Sequence, residues 1–272
     1  ADVSIENKNG ETALIRAAKN GHKECVEALI AANTDVNAVN RYGETALSCA
    51  AKNGHKDCVE ALITADADVN AVSNNGTTAL MYAASNGHKD CVEALITADA
   101  DVNIVNEVGN TALMYAASNG HKDCIEALIA KGAKVNAVKE NNTALIYAAS
   151  NGHKDCVEAL IAAGADVNTV NEDGETALMY AASNGHKDCI DVLIAANAEV
   201  NTAQKNGETA LICAAANGHK DCVATLIKAG ANVNIVNEDG DTALICAAAN
   251  GHKDCVEALI TADADVNAVS NN

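Results

Sequence analysis

Apolar residues in this chain fall into short clusters with helical spacing, separated by polar segments that contain glycine. In one such cluster, Leu80, Ala83 and Ala84 stand at positions i, i+3 and i+4, so they share one face of a helix. Thr78 precedes the cluster and is a residue type that caps helix N-termini. The pattern predicts a short amphipathic helix that begins after Thr78.

A second helix is predicted directly afterwards. Asn86 and Gly87 interrupt the first pattern, and His88 opens a further amphipathic stretch. Its predicted apolar face consists of Cys91, Val92, Leu95 and Ile96. Each helix has only about two to three turns, which is too short for stability alone in water. Both helices must therefore be stabilised by neighbouring segments.

This two-helix pattern occurs eight times. The motif Thr-Ala-Leu-x-x-Ala-Ala-x-Asn-Gly-His-Lys-(Asp/Glu)-Cys starts at Thr12, Thr45, Thr78, Thr111, Thr143, Thr176, Thr209 and Thr242. The period is 33 residues except for one step of 32, and such a period is typical of units that stack and bury each other's apolar faces. We expect one all-α solenoid domain over residues 1–272, with repeats that start near residues 10, 43, 76, 109, 142, 174, 207 and 240.

Two backbone conformations can also be predicted. The position three residues after each Leu-Ile pair holds Asn33, Asp66, Asp99, Gly132, Gly164, Asn197, Gly230 or Asp263. Only Gly, Asn and Asp occur there, and these types best tolerate the left-handed conformation that ends a helix. The fifth repeat is one residue short and lacks its turn glycine, so Asn141 or Asn142 is expected to take positive φ.

The repeated motif, the Asn-Gly-His turn and a Val-Asn pair in each copy resemble the ankyrin repeat, whose signature is Thr-Pro-Leu-His-x-Ala with a 33-residue period. The resemblance covers essentially the whole chain. Ala79 replaces the family proline and Met81 the histidine, but alanine is a strong helix former, so the fold is not threatened. The resemblance implies L-shaped units of stacked helix-turn-helix repeats with β-turn fingers. It also implies a concave groove, lined by first helices beside the fingers, that binds proteins.

Charge narrows the range of partners. The formal net charge of −19 argues against nucleic acid, which needs a basic surface, and against anionic membranes. No apolar run approaches the roughly 20 residues of a membrane span. A protein or peptide of basic character is the electrostatically natural partner.

Cysteine and histidine recur as His-x-x-Cys in every repeat. Equivalent positions in stacked helices lie about 8–10 Å apart, beyond the roughly 7 Å that a disulfide spans between Cα atoms. We therefore expect free buried thiols and a cytosolic or nuclear location. Neighbouring His-Cys pairs also stand a repeat apart and cannot converge on one ion. We expect structural histidines, with no metal, cofactor or catalytic site.

Variable positions on the first helices are candidates for binding. Two of them are three residues apart and so share a helix face. The candidate concave-face residues are Arg16, Lys19, Lys52, Tyr82, Ser85, Tyr115, Ser118, Tyr147, Ser150, Tyr180 and Ser183. Tyrosines suit a protein or peptide surface because they join large contact area to a polar tip. Alternatively, they only fill space between repeats.

The finger tips vary as well. The candidate tip residues are Arg41, Tyr42, Glu107, Val108, Glu172, Asp173, Glu238 and Asp239. Acidic tips beside tyrosines could hold a Lys- or Arg-rich segment by charge attraction and cation–π contact. The alternative is that charged tips only keep the loops solvated.

The first and last repeats keep the internal apolar pattern, whereas solenoids usually end in repeats with a polar outer face. Either the sequence is a stretch of a longer array, or its ends pack against other copies, so a monomer or weak end-to-end association is expected. The expected function is a non-catalytic protein-interaction module. A passive spacer or idealised repeat scaffold, or the targeting arm of a larger enzyme, are the alternatives.

Overall fold

The computed structural model describes residues 5–138 and 142–267. Within these residues there are sixteen α-helices and no named strand. The helices are alternately seven and nine residues long. The chain divides into two compact units, Ala1–Val135 and Asn136–Asn272. The all-α prediction with paired helices is confirmed, whereas the single domain with its eight repeat boundaries stays a prediction.

The first unit contains four helix pairs. Its helices are α1 (Ala13–Lys19), α2 (Lys23–Ala31), α3 (Ala46–Lys52), α4 (Lys56–Thr64), α5 (Ala79–Ser85), α6 (Lys89–Thr97), α7 (Ala112–Ser118) and α8 (Lys122–Ala130). The first helices of the pairs pack in the order α1, α3, α5 and α7, and the second helices in the order α2, α4, α6 and α8.

The second unit repeats this arrangement. Its helices are α9 (Ala144–Ser150), α10 (Lys154–Ala162), α11 (Ala177–Ser183), α12 (Lys187–Ala195), α13 (Ala210–Ala216), α14 (Lys220–Lys228), α15 (Ala243–Ala249) and α16 (Lys253–Thr261). Odd-numbered helices pack on odd-numbered ones, even on even, and each first helix also packs on its own second helix. Each pair is therefore stabilised by its neighbours in the unit, as such short helices require.

Local sequence decides where these helices begin and end. The Thr78 hydroxyl accepts a hydrogen bond of 3.2 Å from the backbone N–H of Met81, and the equivalent threonine caps every first helix. The eight predicted stop positions all have positive φ, from 58° at Asn33 to 94° at Gly132. Both predictions are confirmed. The predicted turn in the fifth repeat lies, except for Asn142, outside the described residues.

The core is thin and made of small and aliphatic side chains. Leu80, Ala83, Ala84 and Leu95 are essentially inaccessible, and alanines at the first-helix contacts let the helices approach closely. Ile96, the last residue of the predicted apolar face of α6, is half-buried. It lies one residue beyond Leu95, at the edge of the apolar face, where no neighbouring helix covers it fully.

The cysteines are free thiols. The repeat-position cysteines are buried as predicted at seven of eight positions, but Cys25 in α2 is exposed. In later repeats this position lies against the second helix of the preceding pair, and the described residues contain no helix before α1. The prediction of a buried thiol is therefore wrong at Cys25.

Candidate protein-binding surfaces

The predicted concave-face residues lie on the exposed side of the first helices. Arg16, Lys19 and Lys52 are exposed, and the tyrosines and serines are half-buried. The half-buried set is Tyr82, Ser85, Tyr115, Ser118, Tyr147, Ser150, Tyr180 and Ser183. In each unit these residues flank the fingers, the extended segments that connect one helix pair to the next.

The cations at the start of the first unit are paired with a carboxylate that the sequence analysis missed. Glu11 is 4 % exposed, and its side chain lies 2.9 Å from Lys19 Nζ and 3.3 Å from Arg16 Nη1. Hydrogen bonds from Asn7 and then from Lys19 lower the pKa of Glu11 to about 2. Glu11 therefore neutralises part of a face that the sequence alone presents as cationic.

Lys52 is held in a similar way in the next repeat. Its Nζ lies 2.9 Å from Glu44 and 4.7 Å from the centre of the Tyr82 ring, so it joins an ion pair to a cation–π contact. Burial alone would raise the pKa of Glu44, but hydrogen bonds from Asn40 and Lys52 lower it overall. The residue just before each capping threonine, Glu11 or Glu44 here, was the signal that could have revealed these pairs.

The tyrosine hydroxyls also have partners on the fingers. Asn106 donates a hydrogen bond of 2.8 Å to the Tyr115 hydroxyl in the first unit. In the second unit Tyr180 donates to Glu175 and accepts from Asn171. Burial, together with the bond to Glu175, raises the pKa of Tyr180 to about 12. These rings are therefore fixed in orientation.

The finger tips lie in solvent and are connected by backbone hydrogen bonds. All eight predicted tip residues are exposed: Arg41, Tyr42, Glu107, Val108, Glu172, Asp173, Glu238 and Asp239. In the first unit the N–H of Asn74 donates to the carbonyl of Tyr42 at 2.9 Å, and in the second unit that of Lys205 donates to Asp173 at 2.8 Å. Neighbouring tips therefore form a connected polar edge.

First helices and fingers meet in an open groove of about 470 Å³ in the first unit. Its lining residues are Lys19, Tyr42, Glu44, Lys52, Asn74, Asn75 and Tyr82. The groove brings together four residues that the sequence predicted on two separate surfaces, Lys19, Lys52 and Tyr82 from the helices and Tyr42 from a tip. A larger groove of about 560 Å³ lies between α4 and α6, away from these residues.

The sequence analysis also missed a row of exposed valines on the fingers. Val39, Val72 and Val105 in the first unit are each about half exposed, as are Val170 and Val236 in the second. The signal was an apolar residue at one fixed finger position in nearly every repeat. These side chains add apolar contact area beside the charged tips.

The repeated histidines have a structural role. In the first unit His55 Nε2 lies 3.1 Å from the carbonyl oxygen of Lys19, and in the second His219 Nε2 lies 3.0 Å from that of Ser183. Both of these histidines thus bond to the preceding repeat. Among the described residues there is no group of three or more His, Cys, Asp or Glu side chains that could hold a metal ion. Within the same ranges, no helix is long and apolar enough to cross a membrane.

Comparison with known proteins identifies the family. A family model described as "Ankyrin repeats (3 copies)" matches residues 1–73, 65–139, 135–204 and 196–270. The chain belongs to the ankyrin repeat family. The crystal structure of the human ASB11 ankyrin repeat domain is similar, with a TM-score of 0.75 and 29 % identity, over 80 % of this chain and 98 % of that chain. No curated protein matches the sequence. Ankyrin repeat domains are in general non-enzymatic protein-interaction modules, and that coarse function follows for this chain.

Proposed function

We propose that this ankyrin repeat chain is a non-catalytic module that binds a protein or peptide through its first-helix faces and finger tips. The groove of the first unit carries the proposal, because Lys52 and Tyr82 of the helices meet Tyr42 of a finger there. The rings of Tyr42 and Tyr82, beside the ion pair of Lys52 and Glu44, offer both apolar area and hydrogen-bonding partners. No catalysis or cofactor is assigned to the chain.

The second unit supports a partner of basic character. Its finger segments 171–175, 204–208 and 237–241 carry seven carboxylates and one lysine, Lys205. The tip residues Glu172, Asp173 and Glu238 are exposed, so their charges are available to a Lys- or Arg-rich segment. The exposed side chains of Val170 and Val236 add apolar contacts along the same fingers.

Free thiols support the proposed compartment. Cysteines that remain reduced are usual in the cytosol and nucleus, where disulfides are rare. We therefore propose that this binding module resides in the cytosol or the nucleus.

A random peptide library displayed on phage tests the proposal directly. Selection on the 272-residue chain should enrich peptides with lysine or arginine beside apolar residues. Fluorescence anisotropy of the enriched peptides then compares two variants of the second unit. The test variant is Glu172→Lys, Asp173→Lys and Glu238→Lys on the tips, and the control is Glu158→Lys, Asp191→Lys and Glu257→Lys on the second helices.

Both variants change the net charge equally, at exposed positions, so a general electrostatic effect would weaken binding in both. We expect at least about tenfold weaker binding for the tip variant alone, which corresponds to about 1.4 kcal/mol. Equal losses would show that the fingers are not the site. A library that enriches nothing would favour the passive spacer or idealised scaffold. If only a longer protein that contains this chain has enzymatic activity, the chain would instead be its targeting arm.

A further inference from the structure

The groove of the first unit lies in a part of the chain that is locally basic. Segments 7–19, 40–52 and 73–85 each comprise a turn and the first helix that follows it. Together they carry five cations and two carboxylates, although the whole chain has a formal net charge of −19. The fingers of the second unit are acidic, so the surfaces of the two units differ in the sign of their charge.

The two carboxylates leave the exposed charge of this groove positive. The side chains of Glu11 and Glu44 are only 3 % and 12 % exposed, whereas those of their partners Lys19 and Lys52 are 45 % and 46 % exposed. An ammonium group has three N–H donors, so each lysine keeps donors for a ligand beside its glutamate. The ion pair also restrains each lysine, which lowers the entropy cost of binding. A partner that enters the groove therefore meets cations.

The two lysines of the groove have equivalent positions one repeat apart. Lys19 and Lys52 each donate a hydrogen bond of 2.9 Å to a glutamate eight residues earlier, and both line the groove. Neighbouring packed helices are separated by about 8–10 Å. An extended peptide advances about 3.3 Å per residue. Two carboxylates about three residues apart in an extended segment would therefore match the two ammonium groups.

We propose that the groove of the first unit binds an acidic segment of a partner protein, with carboxylates at positions i and i+3 paired to Lys19 and Lys52. This inference rests on the proposed function and names the partner chemistry of one of its two surfaces. Tyr42 and Tyr82 also line the groove and can contact an apolar residue between the carboxylates. Arg41 is exposed beside Tyr42 and adds a further cation. Charge selects an acidic occupant, because a basic segment would meet like charges here.

A focused peptide library displayed on phage tests this inference. Each member has two glutamates, at separations from one to about five residues, in a random background of uncharged residues. Selection on the 272-residue chain at low salt should enrich the separation of three over the others. Fluorescence anisotropy of an enriched peptide, synthesised with a fluorescein label, then measures binding to the parent chain and to variants.

Three double variants separate the charge of the groove from general effects. Lys19→Gln with Lys52→Gln removes both ammonium groups from the groove. Lys56→Gln with Lys89→Gln is the matched control, because these lysines also pair with glutamates but lie on the second helices α4 and α6. Lys19→Arg with Lys52→Arg keeps both charges. We expect at least about tenfold weaker binding for the groove glutamine variant. The control and the arginine variant should bind within about threefold of the parent chain.

The outcomes distinguish this inference from the proposed function. Enrichment that does not depend on the separation of the glutamates would overturn the pairing with Lys19 and Lys52. Equal losses in the groove and control glutamine variants would also overturn it, because the effect would then be one of net charge. If the random library yields basic peptides and the focused library yields none, this inference fails and the proposed function stands. If neither library yields a peptide, both fail.

Discussion

Replacement of Gly54 by alanine directly tests the contact that a histidine makes with the preceding repeat in the first unit. Gly54 has φ of +75°, and an added Cβ would lie 2.6 Å from Nδ1 of His88. Gly251 has the same φ but no neighbour within 4 Å among the described residues. The two glycines therefore share the backbone strain of an alanine substitution and differ in the contact with the next repeat.

The expected magnitudes follow from these contacts. Backbone strain should cost about 1–2 kcal/mol in either variant, because alanine is disfavoured in the left-handed conformation. Displacement of the His88 ring would lose its 3.2 Å bond to the Lys52 carbonyl, a loss of about 0.5–1.5 kcal/mol. Overpacking adds about 1–3 kcal/mol. Gly54→Ala should thus lower the free energy of unfolding by about 2.5–6.5 kcal/mol, against about 1–2 kcal/mol for Gly251→Ala.

Urea unfolding followed by circular dichroism measures both losses. The double variant Gly54→Ala with His88→Ala has no ring to clash and loses the histidine hydrogen bond only once. Its loss should therefore be about 1.5–4.5 kcal/mol smaller than the sum of the single losses. Equal losses of unfolding free energy for the two glycine variants, or additive losses in the double variant, would show that the contact of His88 with the preceding repeat does not stabilise the chain.

Three further outcomes are expected. The pKa of Glu11 is lowered to about 2, so the stability that its carboxylate contributes is fully present above about pH 4.5 and is lost as the pH falls toward 2. The difference in unfolding free energy between the parent chain and Glu11→Gln should therefore shrink over that window in acid titrations. Ellman's reagent should modify Cys25 in the native chain at once and Cys58 only after unfolding. Gly132→Ala should destabilise the chain by about 1–2 kcal/mol in urea unfolding, whereas Asp66→Gly should not destabilise it, since both positions have positive φ.

The architecture could be predicted because every repeat contains the same local sequence signals for where its helices begin and end. Thr78 and its equivalents cap the first helices, and the stop positions accept only residues that tolerate positive φ, as at Asn33 and Gly132. A pattern repeated eight times averages out the ambiguity of any single short helix. The solvent side of the first helices could be predicted for the same reason, since apolar and variable positions have separate helical registers.

Pairings between residues in different repeats could not be predicted in this way. The side chain of Asn37, for example, accepts a hydrogen bond from the backbone N–H of Asp68 in the following repeat. Lys52 was predicted only as a candidate concave-face residue, and the structure places its cation over the ring of Tyr82 in the following repeat. Such contacts depend on the distance and rotation between adjacent helix pairs, and no local pattern encodes these.

By itself, the sequence determined the helices, their caps, their left-handed stops and the need for neighbours that bury each apolar face. Periodicity carries this information because helix formation and burial depend on spacing along the chain. Only the tertiary structure decided which charges are neutralised, which tyrosine hydroxyls have partners and where thiols such as Cys25 become exposed. The physical reason is that the charge and hydroxyl pairings depend on how each finger folds back against its own first helix, as at Lys19 with Glu11 and Tyr180 with Glu175, and exposure depends on which neighbouring helix covers a position, as at Cys25. The spacing of apolar residues encodes neither.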